Sequence, residues 1–392
     1  MSDAILVSEF QALAPKHVLA QEQALEWLCD AHTRAQASYA AHHDEQFDEC
    51  SFRRDMHRAI SRYGCSSSRI ETRGVELSDC SHRNWEEMVV YDLLKYPEGK
   101  AMNARVECYS ALALAGFERL YEGTEPAPTD LLHVTCTGYQ SPSAAQLLVS
   151  NKSWGARTRV AHLYHMGCYA SLPALRVASG LVHSSFGPES PVGNRVDVVH
   201  TEICSLHMNP LLHTPEQLVV QSLFADGIIR YSLTRAVPRY AKKAFRIGAL
   251  LEHIVPNSAN CMMWVPSHWG MLMTLTRDVP DRLSECLENF VHELCQRANL
   301  TNTEREMSRY AVHPGGPKIL DLVAQQLHLS PDQMTHSRKI LLTRGNMSSA
   351  TLPHIWNDIL DDEQVTDGEV VVSLAFGPGL TISGAVMRKE LS

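Results

Sequence analysis

The second half of the chain repeats the first, and that repeat constrains the fold more than any other feature. An apolar run, Leu131–Cys136, breaks at Thr137-Gly138 and gives way to a helical pattern over Ser143–Ser150. Ser308–Val312 breaks in the same way at His313-Pro314-Gly315-Gly316, ahead of a helical pattern over Ile319–Leu327. Next, Thr158–Gly180 carries a β-branched run into Met166-Gly167-Cys168, followed by apolar positions at Ala170, Leu172, Ala174, Leu175 and Ala178. Its counterpart is Ile340–Arg344, then Gly345-Asn346, then a helix containing Leu352-Pro353. Cys136 and His313 lie 177 residues apart and Cys168 and Asn346 lie 178 apart, while strand-like Asp197–Ile203 precedes Glu369–Ala375 by 172. Three units in one order at a nearly constant offset predict a duplicated α/β unit. The competing explanation is chance likeness among strand-Gly-helix turns. A chain of 392 residues can hold one two-part core or two domains. The basic, Pro-interrupted stretch Arg235–Lys243 marks the expected junction, giving halves 1–240 and 241–392.

If the halves pack about a pseudo-twofold axis, equivalent turns meet near it, bringing Cys168, His313 and Asn346 towards one point. Cys168 follows a tight Gly turn between strand and helix, so its sulfur faces a helix N-terminus, where unpaired N–H groups favour thiolate. It is also one of 11 cysteines, and free cysteines are often buried and inert. His313 is expected to form an imidazolium–thiolate pair with Cys168. Asn346 supplies amide donors that, with His313, hold a thioester carbonyl oxygen as negative charge grows on it. Such a site suits a carbanion made by loss of CO₂ from a malonyl thioester, which then attacks an acyl group waiting on Cys168.

Other stretches read less sharply. Gln21–His32, Phe52–Tyr63, Asn103–Leu120 and Pro215–Phe224 carry helical patterns, and Leu206–Thr214 reads as a His- and Met-bearing loop. Arg53, Arg54, Arg58 and Arg62 form either a solvated face or a cradle for the phosphates of a nucleotide-tailed thioester. Cys261–Asp278, with Met262, Met263, Trp264 and Gly270, reads either as core or as the wall of a substrate channel. Net charge is −9 without a dense Lys/Arg run, which argues against nucleic acid as a partner. The odd cysteine count, the lack of a CxxC pair and an N-terminus without a basic region point to a reducing, cytoplasmic setting. No apolar run approaches membrane-spanning length. His42-His43-Asp44-Glu45 is not expected to bind metal, since adjacent helical residues do not face one site.

Taken together, these motifs resemble the type III polyketide synthases, the chalcone synthase-like branch of the thiolase superfamily. The resemblance rests on Met166-Gly167-Cys168, Ser222–Gly227, Asp278-Val279-Pro280, Val312–Pro317, Gly345–Ala350 and Phe376–Thr381, in the family's order from about Asp130 onward. It implies a thiolase-like α/β fold with two duplicated halves in a five-layer αβαβα arrangement. It also implies a homodimer that loads an acyl starter from coenzyme A or a carrier protein, extends it with malonyl-CoA and needs no cofactor. Cys168 would carry the acyl group, with His313 and Asn346 as partners. Phe224 would be the gatekeeper between access tunnel and cavity, and Cys136, His207, Gly270 and Ser348 would shape that cavity. Met208 and Met263 join this wall, and Arg54, Arg58 and Arg62 fall where coenzyme A phosphates bind. Departures at His207, Met208, Ser141, Tyr169 and Met262–Met271 suggest a bacterial-type or otherwise divergent member rather than chalcone synthase itself. Gly270 and the methionines suit a flexible aliphatic starter and a pyrone or resorcinol product. The alternatives are a single-condensation, ketoacyl synthase III-like enzyme, an α-pyrone-forming chain-joining ketosynthase, or a non-catalytic thiolase-fold scaffold. Hydroxymethylglutaryl-CoA synthase chemistry is set aside because no Glu stands out beside the cysteine.

Overall fold

The computed structural model describes residues 4–123, 126–183, 194–235 and 242–391. Thirteen strands are found among them. The N-terminal part contributes β1 (Leu6–Ala12), β2 (His17–Ala20), β3 (Thr72–Val75), β4 (Asp130–Thr135), β5 (Arg159–Tyr164), β6 (Val196–Ile203) and β7 (Asp226–Thr234). Then come β8 (Lys243–Ile254), β9 (Met262–Pro266), β10 (Met271–Leu275), β11 (Arg309–Val312), β12 (Val370–Gly377) and β13 (Thr381–Leu391). The first six helices are α1 (Gln21–His42), α2 (Glu49–Tyr63), α3 (Met102–Leu120), α4 (Ala144–Asn151), α5 (Ser171–His183) and α6 (Pro215–Leu223). The rest are α7 (Val279–Ser284), α8 (Leu287–Arg297), α9 (Asn302–Met307), α10 (Pro317–Gln326), α11 (Thr335–Arg344) and α12 (Thr351–Asp361).

Nine strands join in one ladder, ordered β5-β4-β6-β7-β1-β8-β13-β12-β11. The order mirrors itself about the β1/β8 pair. β4 runs parallel to β6 and β11 parallel to β12, while β6/β7 and β12/β13 are antiparallel. The duplicated units are therefore legible in the topology, with β4 matching β11, β6 matching β12, β7 matching β13 and β1 matching β8. One expectation fails: Ile340–Arg344 ends the helix α11, so the second half has no counterpart to the edge strand β5. Its buried residues, His336, Ser337, Ile340 and Leu341, recur at helical spacing.

The period-2 alternation of the strands separates three cores. Leu132, Val134, Val198, Tyr231, Val371 and Met387 point into a central core shared with α5 and α12. Leu131, Val199 and Ile228 point the opposite way, against α1, α3 and α4. Val370, Val372, Leu374 and Val386 point against α8 and α10. Helices thus lie between the two half-sheets and outside each, the layering of a thiolase-like α/β fold. The sequence-expected junction at Arg235–Lys243 falls mainly on 236–241, outside the described residues. Among the described residues no helix is long and apolar enough to cross a membrane.

Candidate active site

Cys168 and His313 follow the C-terminal ends of the parallel strands β5 and β11, while Asn346 follows the helix α11. After β5 the chain turns sharply through His165 and Gly167, both at positive φ (66° and 73°). A single 3₁₀ turn, Gly167–Tyr169, then carries Cys168 just ahead of α5. Gly167 is required twice over: its φ is left-handed, and a Cβ there would lie 2.9 Å from Pro378 Cδ. The matching turn of the second half passes through Gly345 (φ 75°) and Asn346 into the 3₁₀ turn Ser348–Ala350 and then α12.

The two turns meet. Ser348 Oγ lies 3.9 Å from Cys168 Sγ and 3.2 Å from Cys136 Sγ. The Ser348 N–H donates to Asn346 Oδ1 at 2.9 Å, which fixes the amide and leaves its Nδ2 buried without a partner. His313 follows β11 and anchors by donating its N–H to Leu374 O at 2.8 Å; both ring nitrogens are buried and unpartnered. β12, which carries Leu374, packs its own end on the Cys168 turn. Buried polar atoms without partners are rare in folded proteins, and these belong to the two residues singled out with Cys168.

The electrostatics differ from the expected ion pair. Burial pushes the Cys168 thiol up to about 12, a rise that the Ser348 hydroxyl only partly offsets. Burial alone pulls the His313 imidazole down to about 3. Burial thus works against both charges of the expected pair.

Cys168 opens on a cavity of about 910 Å³ of atom-free space, its mouth included. Cys136, His207, Met208, Phe224 and Ser348 line it, together with Trp27 and Leu28 of α1 and Met262, Trp264 and Met273 of the β9/β10 hairpin. Phe224 caps α6 and bridges to Asn346, which places its ring at the meeting of the halves. His207 is a fixed wall: Nε2–H donates to Thr137 O at 2.8 Å and Nδ1 accepts from the Met271 N–H at 3.1 Å. Trp264 Nε1–H donates to Cys136 O at 2.6 Å.

Two expected wall residues are corrected. Met263 is not on the cavity wall; on β9 it faces away from the side shared by Met262 and Trp264, as strand alternation requires. Gly270 is not there either. A Cβ on it would sit 3.3 Å from His207 Nδ1 and 3.4 Å from Arg105 Cδ, so its small size serves close packing behind the wall. Nor do Arg54, Arg58 and Arg62 of α2 reach the cavity. Arg54 bonds Ser51, Arg58 pairs with Asp55, and Arg62 lies over the Tyr63 ring.

A carboxylic acid escaped the sequence reading. Glu202, buried near the end of β6, accepts from the Cys136 N–H at 3.1 Å and the Thr137 hydroxyl at 2.9 Å, and also from the Ser349 hydroxyl. Burial raises it above the usual carboxyl range, against the hydrogen bonds it accepts. Its only sequence signal is a charged residue inside the apolar run Asp197–Ile203.

Comparison with known proteins points to one family. Residues 48–231 match the family described as chalcone and stilbene synthases, N-terminal domain, and residues 247–390 match the C-terminal domain of the same family. Type III polyketide synthase C of Arabidopsis thaliana is 30% identical over 265 residues, covering 66% of this chain and 67% of that protein. Type III polyketide synthase B of the same plant is 27% identical over 347 residues, 83% of each. Among solved structures, the C-terminal type III polyketide synthase domain of Steely1 from Dictyostelium superposes with a TM-score of 0.80 at 21% identity, covering 98% of this chain and 99% of that one. PKS-I of the brown alga Ectocarpus siliculosus gives 0.78 at 17% identity, covering 98% and 97%.

Proposed function

The chain belongs to the chalcone and stilbene synthase family of type III polyketide synthases, enzymes of decarboxylative condensation, and from that membership we propose that Cys168, His313 and Asn346 carry its chemistry. An acyl-CoA enters the cavity and its carbonyl carbon is attacked by the Cys168 sulfur. His313 accepts the thiol proton as the bond forms, and the coenzyme A thiol leaves with it. Malonyl-CoA follows. Its thioester oxygen lies against His313 and the Asn346 Nδ2–H₂, which stabilise the enolate as CO₂ departs. The enolate carbon attacks the acyl group on Cys168, the carbon–sulfur bond breaks, and the lengthened thioester is released for another round or for ring closure. Coenzyme A thioesters are substrates here; decarboxylation supplies the carbanion without a resident cofactor.

The observation that carries this reading is the set of buried, unpartnered donors on His313 and Asn346, whose amide is fixed by the same Ser348 that touches the Cys168 sulfur. The apolar wall of Met208, Met262, Met273 and Leu28 favours a flexible aliphatic starter and a pyrone or resorcinol product. Arg54, Arg58 and Arg62 are proposed to meet the coenzyme tail outside the mouth, since α2 packs on α1, which lines the cavity. A homodimer is proposed as well, supported by Val89, Leu94 and Tyr96, apolar residues 45–65% exposed within one short segment. Incubation with a panel of acyl-CoAs and malonyl-CoA should give an acyl adduct on Cys168, CO₂ and cyclised products by mass spectrometry. A Cys168→Ala variant that still traps labelled starter covalently would refute the assignment.

A further inference from the structure

Behind the cavity wall lies a buried cation that the condensation chemistry does not use. Arg105, in the first turn of α3, is fully buried. Among the described residues no carboxylate pairs with it; its guanidinium donates to backbone oxygens instead. Nε–H donates to Lys100 O at 2.7 Å and Nη2–H to Glu98 O at 2.6 Å. Nη1–H donates to Met208 O at 2.9 Å and also to Leu206 O. The Tyr91 and Trp269 rings each lie 5.4 Å from the guanidinium carbon. The Glu98 carboxylate is engaged elsewhere, with Asn209 Nδ2 at 3.3 Å and His268 Nε2 at 2.8 Å.

We infer that Arg105 is a positioning residue that sets the depth of the acyl cavity, and so the longest starter that Cys168 accepts. The inference rests on the condensation reading above. One side chain grips three segments far apart in sequence: the loop at Glu98–Lys100, the turn after β6, and the β9/β10 hairpin at Trp269. Leu206 and Met208 flank His207, so the two bonds to their carbonyls fix His207 and Met208, both on the cavity wall. The Tyr91 hydroxyl braces the same turn, donating to Ser205 O at 2.6 Å and accepting from the Met208 N–H at 3.2 Å. His207 then ties the turn to the hairpin through the Met271 N–H. Two glycines make room for the guanidinium and its stem. A Cβ at Gly99 (φ 78°) would come within 2.5 Å of Arg105 Nη2, and one at Gly270 within 3.4 Å of Arg105 Cδ.

Filling space does not explain this arrangement. A guanidinium buried without a counterion is costly to desolvate, and an apolar side chain would occupy the same volume. What the guanidinium adds is a planar fork with five N–H donors in fixed directions, which holds several backbone segments at one spacing. Without it, Leu206 O and Met208 O lose their donors, and the turn that carries His207 and Met208 recedes into the vacated space. The reacting groups are held by other means. Ser348 fixes the Asn346 amide and Leu374 O anchors the His313 backbone, so neither depends on Arg105.

The test uses the full-length enzyme and the variants Arg105→Met, which removes the fork, and Tyr91→Phe, which removes only the bracing hydroxyl. For straight-chain acyl-CoAs of increasing length, kcat and KM are measured with malonyl-CoA, alongside CO₂ release from malonyl-CoA without a starter. Arg105→Met should raise kcat/KM for starters longer than the wild-type optimum, relative to shorter ones, by about tenfold, since one methylene in an apolar pocket is worth roughly that much. The change should fall mainly on KM, and starter-free CO₂ release should stay at the wild-type rate. Tyr91→Phe should shift the profile the same way by less. A wild-type length profile in folded Arg105→Met, whatever its Tm, would overturn the inference; if that variant does not fold, Tyr91→Phe decides by the same criterion. Activity lost equally at every starter length, together with CO₂ release, would also overturn it by showing a purely structural role. A wild-type enzyme that forms neither acyl-enzyme nor CO₂ would instead sink the parent reading.

Discussion

At the scale of single residues, the site works by withholding partners. Asn346 has its oxygen tied to Ser348 and its nitrogen left open, so Asn346→Ala should lower the extension rate by roughly 10²–10³ while acyl loading persists. Single-turnover assays of the two steps check this. Gly167→Ala combines a left-handed φ with a 2.9 Å approach to Pro378, and should destabilise by about 1–2 kcal/mol or more in urea titration. Both residues were legible in the chain because each sits in a turn motif with a duplicate. Glu202 was not. Its meeting with Cys136 depends on the parallel register of β4 on β6, His133 against Val199 and Val134 against His200, between segments about 66 residues apart. No local pattern contains that pairing.

At the scale of elements, the β9/β10 hairpin decides how much of the cavity is left for the growing chain. Strand alternation places Met262 and Trp264 on the wall and turns Met263 away. Met262→Trp should therefore shorten the longest acyl starter accepted, whereas Met263→Trp should leave the starter range unchanged; product profiles by mass spectrometry separate the two. The sequence reading put Met263 on the wall, the wrong face, because Met, Met and Trp in succession show no alternation to read. The same limit explains α11. Ile340-Leu341-Leu342 is too short an apolar run to tell strand from helix, and only packing of His336, Ser337, Ile340 and Leu341 on one side resolves it. Longer units, such as Leu131–Cys136 and Asp197–Ile203, were read nearly to the residue as β4 and β6.

At the scale of the molecule, the interior holds neutral histidines. Burial pulls His32 down to about 4, and His133, His200, His207, His313 and His354 each to about 3, against 6.5 for a free imidazole. The unfolded chain thus binds more protons than the folded one below pH 6.5, and stability falls as pH drops, by up to about 1.4 kcal/mol per unit for each group. Glu76, Glu202 and Asp226, raised by burial, oppose this at lower pH because they protonate more readily when folded. The net expectation is a Tm that drops steeply between pH 7 and 5, as measured by calorimetry; a flat profile would contradict the buried neutral state. The duplicated order of strands was the most legible property of the chain. The seam between β1 and β8 has a further consequence. One copy of the ancestral unit holds the group that receives the cargo and the other holds those that steady its charge, so neither could drift without idling its twin. Whatever new products such a chain comes to make, its two copies are bound to change as a couple.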